Sequence, residues 1–167
     1  VREIAGRAAI SGPLPRGWPY LGVDHSGSTS LDQLAALARH GIFRKYEQVL
    51  VLAGGLGAPA RWAAAQLGCT AISTTPCRQE AILGGALTAD AGLADAVAHL
   101  ASASERLAIG DAAVTHVWAM ESLGLLPDPA GALGEARRVV RPGGHLAVVE
   151  LASDTGPIDV GGRVIHP

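Results

Sequence analysis

The sequence predicts a three-layer α/β fold built on a mostly parallel β-sheet, and three observations carry that prediction. The run Val49-Leu50-Val51-Leu52 is short, apolar and unbroken, as strands buried on both faces are. A glycine-rich turn, Ala53-Gly54-Gly55-Leu56-Gly57, joins it to a helical stretch. A second strand follows at once, so strand, turn, helix and strand form one βαβ unit with a right-handed crossover.

The elements follow in order. Residues 1–23, with Pro13, Pro15 and Pro19, read as an irregular arm, and residues 24–167 as a single domain. A polar turn from Asp24 to Ser30 leads into a helix from Leu31 to Arg39, whose Leu31, Leu34, Leu37 and Ala38 share one face. Ser30 suits its N-cap and Gly41 its stop. The helix after the glycine turn spans Ala58 to Leu67, with Pro59 tolerated in its first turn, and Gly68-Cys69 closes it. Thr70–Thr75 is the second strand, residues 77–90 a helix, Val97–Ala101 the third strand and Val114–Met120 the fourth. A helix from Pro129 to Val140 ends in Arg137-Arg138 and is stopped by Arg141-Pro142-Gly143-Gly144; His145–Leu151 is the fifth strand. The tail holds Gly156, Pro157, Gly161 and Gly162 and little more than one short strand.

Composition narrows the function. Of 167 residues, 49% are hydrophobic and 17% charged, which suits one globular domain and not a disordered chain. Net charge is −2 and no basic stripe appears, so nucleic acid is not an expected partner. No apolar run nears the ~20 residues that span a bilayer, and no signal peptide opens the sequence; the expectation is a cytoplasmic protein off the membrane. Cys69 and Cys77 lack metal-ligand spacing and read as ordinary thiols, and no metal site is expected.

The second half of the chain narrows the fold. Trp118-Ala119-Met120-Glu121-Ser122-Leu123, then Leu126-Pro127-Asp128-Pro129, then Ala136-Arg137-Arg138-Val139-Val140-Arg141-Pro142-Gly143-Gly144-His145-Leu146 follow one another with almost no gaps. In this order they resemble the fourth strand, turn, helix, turn and fifth strand of the class I, Rossmann-like S-adenosylmethionine (SAM) methyltransferases of the small-molecule type. His25-Ser26-Gly27 resembles the loop ahead of the first strand in that family. The resemblance covers residues 24–151 and implies the class I methyltransferase fold. Only sixteen residues follow Leu151, so a fold lacking much of the family's C-terminal antiparallel hairpin is expected. An edge left open there would suit a homodimer.

The resemblance also implies where a cofactor would lie: Ala53, Gly54, Gly55 and Gly57 in the turn, Thr75 after the second strand, Ser102 and Ala103 after the third, and Ala119 on the fourth. Four positions that carry carboxylates in the family are neutral here: Val51, Thr75, Ala103 and Thr115. Losing two or three charge-assisted contacts would cost about 3–5 kcal/mol, on the order of 100- to 5,000-fold in affinity. The cofactor is therefore expected to be none, or SAM held weakly.

Among candidate chemical groups, Glu121 lies just past the fourth strand, where open α/β sheets bind ligands, and suits a general acid or base. His25 sits on a polar loop expected over the pocket and titrates near neutral pH. Glu150 ends the fifth strand beside the same crevice. His99 and His116 read as core histidines, Trp62 and Trp118 as packing and Met120 as pocket lining. The function expected is a methyltransferase-like protein that has given up SAM and acts on a small molecule by cyclisation, isomerisation or elimination in natural-product biosynthesis. The alternatives are a working small-molecule methyltransferase and a non-catalytic binding subunit.

Overall fold

The computed structural model describes residues 31–41, 43, 46–150, 156, 158–160 and 163–165. Its elements are α1 (Leu31–Ala38), β1 (Gln48–Leu52), α2 (Ala58–Leu67), β2 (Thr70–Thr75), α3 (Arg78–Asp90), β3 (Val97–Ala101), β4 (Val114–Met120), a 3₁₀ turn (Leu123–Leu125), α4 (Pro129–Val139), β5 (Val140–Val149), β6 (Ile158–Val160) and β7 (Arg163–Ile165). The arm, the polar turn with Ser30 and the loop with His25 lie outside the described residues.

Five strands form one sheet in the order β3-β2-β1-β4-β5, with every neighbouring pair parallel. Alternation along the strands divides the core in two. Val49, Val51, Ala71, Val97, Trp118 and Met120 face Leu34 of α1 and Ala60, Trp62, Ala63 and Ala64 of α2. Leu50, Leu52, Val117 and Ala119 face Ala132, Ala136 and Val139 of α4. Trp62 and Trp118 are packing residues, their ring centroids 6.4 Å apart. The helix ends follow local chemistry: Gly68 adopts φ 69° and its N–H bonds Ala64 O, and the Asp128 carboxylate accepts from Gly131 N at 2.9 Å.

Two details differ from the sequence reading. β5 begins at Val140, ahead of the Arg-Pro-Gly-Gly turn: Val140 pairs with Val114 and, after a register shift, His145 pairs with His116. The turn is therefore an irregularity within the ladder, which Gly143 at φ 77° permits. The tail holds two strands where one was expected. β6 and β7 pair antiparallel, with Ile158 opposite Ile165 and Val160 opposite Arg163.

The amino ends of β1 and β4 are clasped by Thr115, whose hydroxyl accepts from Gln48 N and donates to Gln48 O, both at 2.9 Å. On the other face, Glu135 of α4 accepts from Leu107 N and from both Arg138 Nε and Nη2, while Arg138 Nη1 reaches Asp111. These bonds fasten the loop between β3 and β4 onto α4. The Arg138 guanidinium, ahead of the Leu107 N–H, holds the Glu135 carboxyl down at about 2 against a usual 4.5. A depressed carboxyl stabilises the fold above its unfolded-state pKa and loses that contribution as pH falls through the folded one. Wild type is thus expected to exceed Glu135→Gln in thermal stability near pH 7, the gap closing from pH 4.5 towards 2. A gap independent of pH across that window would assign the stabilisation elsewhere.

Candidate functional site

Strand order reverses direction at β1: the chain runs outward to β2 and β3, then returns to place β4 on the other flank. Open α/β sheets bind ligands in the crevice at the carboxyl ends of two such strands. Here that crevice lies between the turn after β1 and Glu121 after β4.

The turn is held in a left-handed shape. Ala53 has φ 49°, Gly55 φ 54° and Gly57 φ 85°. Ala53 N donates to Thr74 Oγ1 at 3.2 Å and Gly54 N to Thr74 O at 2.7 Å, which tie the turn to β2. A Cβ on Gly55 would meet nothing within 4 Å, so this part of the backbone faces open space. Behind the turn, Arg61 is fully buried and its Nη1 donates to Leu56 O at 2.7 Å and to Thr88 Oγ1 at 3.3 Å. Thr88 Oγ1 also lies 2.7 Å from His99 Nε2. Burial, and then the Arg61 charge, push the His99 imidazole down to about 4, so it is neutral at pH 7. His99 thus supports the turn from beneath, as a core residue.

At the end of β2, Thr75 is buried and its hydroxyl donates to Glu80 Oε2 at 2.5 Å while accepting from Cys77 N at 3.2 Å. Thr75 O accepts from Ser102 N at 2.9 Å. After β3, the Ser102 hydroxyl donates to Arg106 O at 3.1 Å and accepts from Ala108 N at 3.2 Å, so it shapes its own loop; Ala103 is exposed. Ala119, read from the sequence as a cofactor position, turns its methyl into the core under α4, and Met120, read as pocket lining, packs in the other core.

At the end of β4, Glu121 adopts φ 51° and its N–H donates to Val149 O at 2.6 Å. Among the described residues three non-glycines have positive φ, and two of them, Ala53 and Glu121, flank this crevice; the third is Ala112. Such residues cost about 1–2 kcal/mol each and collect where function fixes the backbone. Glu150 Oε1 accepts from Ser122 N at 2.9 Å and Leu123 N at 2.7 Å, so this carboxylate caps the 3₁₀ turn that carries the Glu121 loop. The hydroxyls of Ser73, beside Gly54, and of Ser122 are buried without a hydrogen-bond partner.

The structure places Ala53, Gly54, Gly55 and Gly57 after β1, Thr75 at the end of β2 and Glu121 after β4, at the carboxyl ends of adjacent strands. Glu80 and Arg61 were not among the sequence candidates: Glu80 carries only the signature of an acidic residue in a first helical turn, and Arg61 that of a charge on an alanine-rich face. Both cysteines are free, and burial pushes the Cys69 thiol up to about 11, which leaves it inert. Among the described residues no cluster of His, Cys, Asp or Glu suits a metal ion, and no helix is long and apolar enough to cross a membrane.

Comparison with known proteins agrees with this fold. The chain is 30% identical over 131 residues to methyltransferase GfsG of Streptomyces halstedii, covering 74% of this chain and 47% of that protein. Among solved structures it resembles the [4+2]-cyclase SpnF, with TM-score 0.69, 24% identity and coverage of 89% of this chain and 54% of that one. It also resembles a putative sarcosine dimethylglycine methyltransferase from Galdieria sulphuraria, with TM-score 0.67, 21% identity and coverage of 74% and 53%. The chain spans about half the length of these relatives. Residues 50–148 match the family model described as "Methyltransferase domain", and the chain belongs to that family, with the class I SAM methyltransferase fold.

Proposed function

We propose that this chain forms the cofactor-binding part of a SAM-dependent methyltransferase acting on a small molecule. One observation carries the reading: Ala53 stands where the family has its first glycine, yet keeps a left-handed φ of 49°. Strain accepted at Ala53, with the open face of Gly55 beside it, supports reading the turn as a ligand loop. Gly55 would present the cofactor with backbone that no side chain blocks. When bound, SAM supplies an electrophilic methyl group. Glu121, fixed across the crevice by its bond to Val149 O, would take the proton that the substrate's nucleophile loses. Glu150 positions that loop, and His25 is proposed as a further proton-exchanging group. The protein is proposed to work in the cytoplasm, and a homodimer could form through β5, where Leu146 and Val148 are exposed.

A second reading rests on the neutral Val51 and Ala103: the same crevice, without SAM, would cyclise, isomerise or eliminate a substrate, with Glu121 exchanging the proton. Its support is the absence of those two carboxylates from the sequence, and a fold shared with a cyclase over 89% of this chain. Titration calorimetry with SAM and S-adenosylhomocysteine decides between them. Micromolar binding supports methyl transfer; no heat at millimolar ligand retires the cofactor and leaves the second reading standing.

A further inference from the structure

We infer that Glu80, from the first turn of α3, supplies a carboxylate for a ribose diol at the end of β2, in place of the one that Thr75 does not carry. The inference deepens the cofactor reading above and rests on it. In open α/β folds a carboxylate about 20 residues beyond the glycine turn takes the ribose hydroxyls. That position falls at Thr75, whose hydroxyl gives its one proton to Glu80 Oε2 and accepts from Cys77 N, and which carries no charge to offer a diol. The contact places the Glu80 carboxylate at the strand end. Its partner strand end is fastened to both neighbours, since Thr74 holds Ala53 N and Gly54 N of the turn and Thr75 O holds Ser102 N of the loop after β3. Glu80 is therefore fixed relative to the cradle on one side and the β3 loop on the other.

The chemistry suits a diol. Thr75 has a single hydroxyl proton and gives it to Oε2, which orients the carboxylate and leaves Oε1 and the remaining lone pairs for two outside donors. The side chain is partly exposed and so open to a ligand. A role confined to helix capping would aim the carboxylate at the backbone N–H of Cys77, the N-cap residue; here that N–H goes to Thr75 Oγ1 instead.

The test measures dissociation constants for S-adenosylhomocysteine and its 2′-deoxy analogue by calorimetry, with thermal melts of each variant. Wild type should prefer the ribo ligand by about 10-fold or more, as a hydrogen bond to a charged group would give. Glu80→Gln should bind S-adenosylhomocysteine about 10- to 100-fold more weakly and lose most of that preference. The double variant Thr75→Asp/Glu80→Gln, which moves the carboxylate onto the strand, should regain both. Discrimination that survives in Glu80→Gln, or affinity lost equally for the two ligands alongside a lower melting temperature, overturns the assignment and makes Glu80 a structural residue. Binding of neither ligand by wild type defeats the cofactor reading itself, and this inference with it.

Discussion

Gly57→Ala is expected to lower the free energy of unfolding by about 3 kcal/mol, the sum of left-handed strain and overpacking. Gly57 combines φ 85° with a Cβ direction that runs into the His99 ring. The ring has no easy retreat. Its Nε2 is held at 2.7 Å from Thr88 Oγ1, and Gly84 lies against it, since a Cβ there would come within 2.5 Å of Nδ1. At roughly 2–4 °C per kcal/mol for a chain of this size, the melting temperature should fall by about 6–12 °C. Thermal denaturation followed by circular dichroism measures it. Adding His99→Ala to Gly57→Ala should recover the overpacking share relative to His99→Ala alone and leave the backbone share. A loss below about 1 kcal/mol in the single variant would mean that His99 moves freely, contrary to this account.

Glu121→Gln should reduce turnover by about 10²- to 10⁴-fold, the usual worth of a positioned acid or base, while S-adenosylhomocysteine affinity changes little. The separation matters because Glu121 is assigned to the substrate's proton and not to the cofactor. A companion variant needs no substrate. Glu121→Gly relieves the backbone strain of φ 51°, about 1 kcal/mol, and at the same time gives up the contacts of the carboxylate, so its melting temperature weighs one against the other while activity is lost. Glu121→Gln with full turnover would remove the residue from the chemistry; Glu121→Gly with a lower melting temperature would show that its side chain holds structure.

Much of the fold was legible because its signals are local. β2, β3 and β4 run as expected, from Thr70 to Thr75, Val97 to Ala101 and Val114 to Met120, since each is a compact apolar or β-branched run between polar or glycine breaks. β5 was misjudged at its start for a physical reason: Arg-Pro-Gly-Gly has the composition of a terminating turn, and only pairing with Val114 shows that Val140 already belongs to the ladder. In the site, glycines announced the turn and position announced Glu121. Glu80 was not legible, because an acidic residue in a first helical turn ordinarily answers the helix dipole. Its meeting with Thr75 depends on how α3 leaves β2. What Ser102 does locally was equally hidden: its hydroxyl organises the loop after β3 through Arg106 O and Ala108 N, contacts that no residue pattern announces.

The strand order also acts as a timetable for synthesis. β1, β2 and β3 are contiguous along the chain and can pair as they emerge, but the other edge of β1 waits for β4, whose Val114 follows Leu52 by 62 residues. At ordinary translation speeds that delay is roughly 3–12 s. Throughout it, the most apolar strand of the sheet offers unpaired amides and carbonyls to any passing chain. Slower, cooler expression with chaperones that shield nascent strands should therefore favour recovery of native protein, because the hazard lies in the interval before β4 arrives.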